Sequence, residues 1–124
     1  MKLGEVFQSV QAWSNLASLK MEPKAAYHVL KYTKLVLAEY EIAEKQRVAL
    51  IREITGTADG QDAQIAPGSP EMVIYAERFG AVMETECDLI RCGLSLDSVL
   101  DSLAEGESLT AQDLALLEPF FLEG

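Results

Sequence analysis

The sequence predicts a mainly α-helical single domain over residues 1–124, in which one long helix packs on a second long helix and short helices flank them. Three observations support this prediction. The chain has 124 residues, of which 49% are hydrophobic, as expected for one domain with its own core. Apolar residues recur at helical spacing in several segments. One of these segments runs from Pro23 to about Ile54 with no internal glycine or proline.

The first predicted helix covers residues 3–19. Its apolar side chains repeat at intervals of three and four residues: Leu3, Val6, Phe7, Val10, Trp13, Leu16 and Ala17. This spacing is typical of an amphipathic helix that buries one face.

The second predicted helix begins near Pro23, because proline is well tolerated at the first helical position. It ends before Gly56, which is typical of a C-terminal cap. About 32 residues at 1.5 Å each give a rod of roughly 48 Å. One face is predicted to join the core: Ala26, Val29, Leu30, Val36, Leu37, Tyr40, Val48, Ile51 and Ile54.

The reverse side of this long helix changes character along its length. Its first part is a basic stripe, and its middle is apolar at Leu35, Ala38, Ile42 and Ala49. A helix that is apolar nearly all round is normally buried. Either the chain's own segments wrap this side or a second copy does, and we expect a second copy. The candidate interface residues are Leu35, Ala38 and Ile42, together with Phe120 and Phe121 of the apolar tail. The alternative for the tail is that it docks on the core, as such tails usually do.

The basic stripe consists of Lys20, Lys24, His28 and Lys31. We expect it to face acidic residues of the same or another copy. On the core side of the helix, Glu44 and Arg47 are spaced for a local ion pair.

The remaining segments carry clear helix starts and stops. Residues 55–69 are predicted to form a loop with turns at Asp59-Gly60 and Pro67-Gly68, a short hairpin being the alternative. Helices are predicted to start after Ser69, Ser95 and Thr110, and Gly106 is predicted to end the middle one. The third helix presents Met72, Tyr75, Ala76, Phe79, Val82 and Met83 on one face. Residues 87–94 break the helical period, so one short strand is allowed there.

The net charge of −10 is unevenly distributed. Residues 1–54 carry eight Lys or Arg and six Asp or Glu, whereas residues 55–124 carry two and fourteen. Such a surface argues against general nucleic-acid binding, which needs a dominant basic face. It permits an acidic inhibitor or nucleic-acid mimic that binds a basic host protein, and it also serves solubility.

Nothing in the sequence indicates catalysis, a cofactor or a metal. His28 is the single histidine, and Cys87 and Cys92 lie in no nucleophile or zinc motif. The acids Asp59 and Asp62 do not complete a calcium loop. The chain also lacks a membrane-length apolar run and a secretory signal. We therefore expect a non-enzymatic cytoplasmic protein without a membrane partner.

Two stretches together resemble a known family. One is residues 19–52, LKMEPKAAYHVLKYTKLVLAEYEIAEKQRVALIR, and the other is residues 94–121, LSLDSVLDSLAEGESLTAQDLALLEPFF. They are similar to small uncharacterised proteins encoded by tailed phages and prophages. The resemblance implies a long helix, a turn or hairpin, a second helix, a short strand and a terminal helix, with no activity or catalytic residue. Our hypothesis is a non-enzymatic phage or prophage accessory protein that acts through contacts with a phage or host protein. Self-association is inferred from the apolar reverse side of the long helix and not from the resemblance.

Overall fold

A computed structural model describes residues 1–56 and 65–122 of the chain. The helices in order are α1 (Leu3–Ala17), α2 (Pro23–Thr55), α3 (Pro70–Met83), α4 (Leu96–Asp101) and α5 (Ala111–Leu117), followed by a 3₁₀ helix (Glu118–Phe120). The prediction of a mainly α fold built around one long helix is confirmed. The predicted turn at Asp59-Gly60 and the acids Asp59 and Asp62 lie outside the described residues.

The helices begin and end at the residues that the sequence marks for this purpose. Ser69, Ser95 and Thr110 precede α3, α4 and α5, and each side-chain oxygen accepts a hydrogen bond from the backbone N–H three residues later. Each cap satisfies an N–H that has no partner within its helix. At the end of α2, Gly56 adopts a φ of 70°, which a glycine reaches without steric cost. The end of α4 differs from the prediction, because that helix stops before Ser102 and not at Gly106.

The main core lies between α1, the first half of α2 and the C-terminal segment. Trp13 is fully buried at its centre, with ring centroids 4.9 Å from Tyr32, 5.7 Å from Phe120 and 5.3 Å from Phe121. Aliphatic residues and one cysteine complete the core: Val6, Ala12, Leu16, Val29, Val36, Cys92, Val99 and Leu117. Among the described residues, none between 37 and 83 belongs to this cluster.

The tail prediction needs a correction. Phe120 and Phe121 are 0% and 2% exposed, so they are core residues and are not available as interface residues. The 3₁₀ helix turns the chain back onto Trp13, and backbone bonds hold it there. The Cys92 N–H donates to the Phe120 carbonyl oxygen at 2.7 Å, and the Leu122 N–H donates to the Leu94 oxygen at 3.1 Å. An apolar tail gains more from this burial than from exposure to solvent.

The possible strand at 87–94 does not form. In the described part of the chain, β-type pairing is limited to three isolated bridges, Lys2 with Glu86, Met21 with Leu103 and Ser95 with Leu122. Two of these flank the segment and hold it to different elements, so no continuous ladder develops along it. The bridges fasten the irregular C-terminal half onto the helices.

The second half of α2 and the whole of α3 form a two-helix arm, defined here as residues 37–55 and 70–83. None of the α3 residues is fully buried. The base of the arm is held to α1 by half-buried rings, because Phe7 lies 5.1 Å from Tyr40 and 5.6 Å from Phe79 between ring centroids. The arm therefore rests on a smaller aromatic contact, separate from the main core.

Candidate functional site

The candidate site is the outer face of α2 at Leu35, Ala38 and Ile42. Because these residues are three and four positions apart, their side chains lie on the same side of the helix. The side chains of Leu35 and Ile42 are 48% and 53% exposed, and Ala38 is exposed as well. The chain's own segments therefore do not wrap this face, and an apolar patch remains open in the middle of the longest helix.

The core face of α2 differs from the predicted stripe, of which only Val29 and Val36 are fully buried, whereas Tyr32, Thr33 and Ala43 were not predicted. Its fully buried residues are Val29, Tyr32, Thr33, Val36 and Ala43, and Leu30 is 51% exposed. Leu30 was predicted to join the core, and this part of the prediction is wrong. It is a second exposed apolar residue on α2, but it is directed away from Leu35 and Ile42 by the helical rotation.

The first half of the outer face is basic. Lys24 and Lys31 are exposed and His28 is half-buried, with its ring 5.4 Å from that of Tyr27. Lys20 lies outside the helix, where its backbone N–H donates to the Glu107 carboxylate at 2.7 Å. The stripe on α2 itself therefore consists of Lys24, His28 and Lys31.

An apolar groove continues the outer face onto the arm. It has a volume of about 460 Å³ between α2 and α3, and its lining residues are Gln46, Ala49, Leu50, Glu53, Arg78, Ala81 and Val82. Gln46 lies one helical turn after Ile42, so the groove begins where the apolar patch ends. The small side chains of Ala49 and Ala81 leave room for another helix to approach closely.

An ion pair joins the two walls of the groove. The Arg78 guanidinium on α3 donates to both carboxylate oxygens of Glu53 on α2, at 3.2 and 3.1 Å. Bidentate geometry of this kind holds both side chains in one orientation. Ala49 was predicted to lie on the apolar reverse side of α2. The contribution of Ala81 and Val82 to the groove was not predicted, because it depends on how α3 packs against α2.

Glu44 and Arg47 form the predicted local ion pair, in which the Arg47 Nε donates to a Glu44 carboxylate oxygen at 2.9 Å. This hydrogen bond lowers the pKa of Glu44 and raises the pKa of Arg47. The Tyr75 hydroxyl on α3 raises the pKa of Arg47 further. The pair thus supports the contact between α2 and α3 and is not part of the outer face.

The residues that could have supported catalysis are dispersed. His28 lines a small cavity of about 180 Å³ with Glu22, Lys24, Ser98 and Ser102 among its neighbours. Cys87 is half-buried and Cys92 is buried, and desolvation raises the pKa of the Cys92 thiol, which opposes thiolate formation. Residues 1–56 and 65–122 contain no group of three or more His, Cys, Asp or Glu side chains that could hold a metal ion.

Within the part of the chain that the structure describes, none of the helices combines the length and the apolar character needed to cross a membrane. Comparisons of this chain with protein-family models, with curated proteins and with solved structures give no match.

Proposed function

We propose that this chain is a non-enzymatic accessory protein that acts through protein–protein contact and assembles with copies of itself through the outer face of α2. The observation that supports the proposal is the exposure of Leu35, Ala38 and Ile42 at the centre of the longest helix. A contiguous apolar patch on a folded chain commonly marks an interaction surface. A phage or prophage role, in the host cytoplasm, follows from the family resemblance and belongs to the same proposal.

The groove adds to the surface that the apolar patch offers to a second helix. Burying the exposed part of one leucine or isoleucine contributes on the order of 1 kcal/mol, which is small against the cost of association. The patch alone would therefore bind weakly. Because the groove at Ala49 and Ala81 continues the same face, a second helix could contact both α2 and α3 and bury more of the surface that stable interfaces require.

The test is the paired substitution of Leu35→Glu with Ile42→Glu. Both side chains are about half exposed in the single chain, so the substitutions leave the fold intact, and the circular-dichroism signal should be unchanged. Two carboxylates in the contact would each lose hydration on burial, so we expect a monomer by light scattering at micromolar concentration, where the unmodified protein is larger.

The matched control is Leu30→Glu with Val73→Glu. These two residues are also exposed apolar side chains, and the change adds the same charge, but neither lies on the outer face or in the groove. This control should assemble as the unmodified chain does. A monomeric unmodified chain, or a Leu35→Glu/Ile42→Glu variant that remains assembled, would overturn the proposal.

A further inference from the structure

We propose that the two copies bind antiparallel, so that the first half of α2 of each copy lies in the groove on the arm of the other. This inference rests on the proposed self-association and specifies its geometry. The occupant of the groove is thus a helix of a second copy of this chain.

The residues of the outer face are arranged almost symmetrically about Ala38. Leu35 and Ile42 lie three and four residues to either side of it, and Lys31 and Gln46 lie seven and eight residues away. In an antiparallel pair with a two-fold axis near Ala38, Leu35 of one copy lies level with Ile42 of the other. The apolar centre is then self-complementary, as a two-fold interface requires.

The same axis brings the basic half of α2 to the groove. Ala49 is eleven residues from Ala38, which is about 16 Å along the helix, and His28 is ten residues away on the other side, about 15 Å. His28 of one copy therefore lies level with Ala49 of the other, where Ala49 and Ala81 leave space between the helices. The aliphatic stems of Lys24 and Lys31 can cover the apolar walls while their ammonium groups stay in water.

The charges favour the antiparallel arrangement over the parallel one. A parallel pair would place Lys24, Lys31 and Lys34 each beside its own counterpart, and like charges across an interface oppose binding. The antiparallel pair separates these lysines and places Lys24 level with Glu53 on the wall of the groove, where the ammonium would share a carboxylate that already holds Arg78. Antiparallel helix dipoles add a small favourable contribution.

Distances between spin labels distinguish the two orientations. We would label Lys34→Cys or Tyr27→Cys, both exposed positions near the edge of the face, in a chain that carries Cys87→Ser. Cys92 is buried and stays in place, with the unlabelled background as the check on its reactivity. In an antiparallel dimer the label separation grows by about 3 Å for each residue away from Ala38, twice the helical rise. The Tyr27 pair should therefore be about 20 Å further apart than the Lys34 pair.

The outcomes separate this inference from the proposed function. A dimer with equal separations at the two positions is parallel and overturns the inference alone. A monomer gives no intermolecular distance at either site and overturns the proposed function together with the inference.

A groove-filling substitution gives a second measurement that does not depend on labels. Ala81→Phe fills the groove at an exposed position, whereas the control Ala76→Phe places the same ring on an exposed position of α3 outside the groove. We expect Ala81→Phe to raise the dissociation constant of the dimer by about tenfold or more, because an interface packed by a helix has no space for the ring, and we expect little change for Ala76→Phe. Equal affinities for the two variants would show that the groove is not occupied.

Discussion

Gly4 lies where the first turn of α1 passes the end of α3. A Cβ at this position would lie 3.1 Å from both the Cβ and the carbonyl oxygen of Met83, which is closer than ordinary van der Waals contact. The carbonyl oxygen belongs to the backbone and cannot rotate away as a long side chain can. The absence of a side chain at Gly4 therefore allows α1 and α3 to approach each other.

The close contact between α1 and α3 at Gly4 predicts opposite effects on stability for two glycine substitutions. Gly80 has nothing within 4 Å of its added Cβ and lies inside α3, so Gly80→Ala should raise the free energy of unfolding by about 0.5–1 kcal/mol. Gly4→Ala should lower it by about 1 kcal/mol, since crowding at Met83 outweighs the gain in helix propensity at a helix end. Urea unfolding at one protein concentration measures both. Equal stabilisation by the two alanines would mean that α1 and α3 are less closely packed than described.

Single residues also show what the sequence could and could not predict. The caps at Ser69, Ser95 and Thr110 were predictable because a cap is a local hydrogen bond between near neighbours in the chain. The fate of Phe120 and Phe121 was not, because an apolar pair can dock on its own core or on another molecule. The deciding fact is the position of Trp13, which is more than a hundred residues away in sequence.

At the scale of secondary-structure elements, the arm lies apart from the main core. Residues 37–83 contribute no described member to the main core cluster, and α3 has no fully buried residue. Regions with few buried contacts open at lower free energy than the core. The arm should therefore be locally unstable in the single chain and gain stability when another copy covers it.

The aromatic contact at the base of the arm predicts a local effect of Phe79→Ala. This change removes the edge contact with Phe7 and the stacking on Tyr75, whose ring centroid is 5.5 Å from that of Phe79. We expect the free energy of unfolding to fall by about 2 kcal/mol, which is below the range for a fully buried phenylalanine. We also expect faster amide hydrogen exchange that is confined to α3 and the end of α2. Trp13 fluorescence, which reports on the main core, should stay unchanged.

The control for this experiment is Val73→Ala, which shortens an exposed side chain on the same helix and should leave exchange unchanged. If Phe79→Ala also alters Trp13 fluorescence, the arm and the main core form one cooperative unit.

The elements themselves were largely predictable, but their partners were not. The length of α2 follows from the absence of internal glycine and proline between Pro23 and Gly56, and its apolar outer face follows from helical spacing. The groove required knowledge of which side of α3 meets α2, because only that contact brings Ala81 and Val82 beside Ala49. The residues of the segment 87–94 allowed a short strand, but the bridges that flank it pair with different parts of the chain.

At the scale of the whole molecule, charge and apolar surface act in opposite directions on assembly. Each copy carries a net charge of −10, so two copies repel one another at long range. The apolar patch at Leu35, Ala38 and Ile42 attracts only at contact. Salt screens the charge repulsion much more than the apolar attraction, so a change in ionic strength distinguishes the two contributions.

We therefore expect self-association to strengthen as the salt concentration is raised from about 10 mM to about 100 mM, where the screening length falls from about 30 Å to about 10 Å. The pairing of Lys24 with Glu53 across the interface would weaken with salt, but exposed pairs of this kind contribute at most about 1 kcal/mol each. Sedimentation equilibrium gives the dissociation constant of the dimer at each salt concentration. Asp101 is the last residue of α4 and Glu105 follows that helix, and both acids are exposed. Asp101→Asn with Glu105→Gln should tighten the dimer at low salt and reduce its salt dependence. The competing hypothesis is an acidic inhibitor that binds a basic host protein. It predicts that binding of that host protein weakens as salt is added, because screening weakens attraction between unlike charges. A dimer that dissociates as salt is added would show that charge attraction, and not the apolar face of α2, holds the copies together.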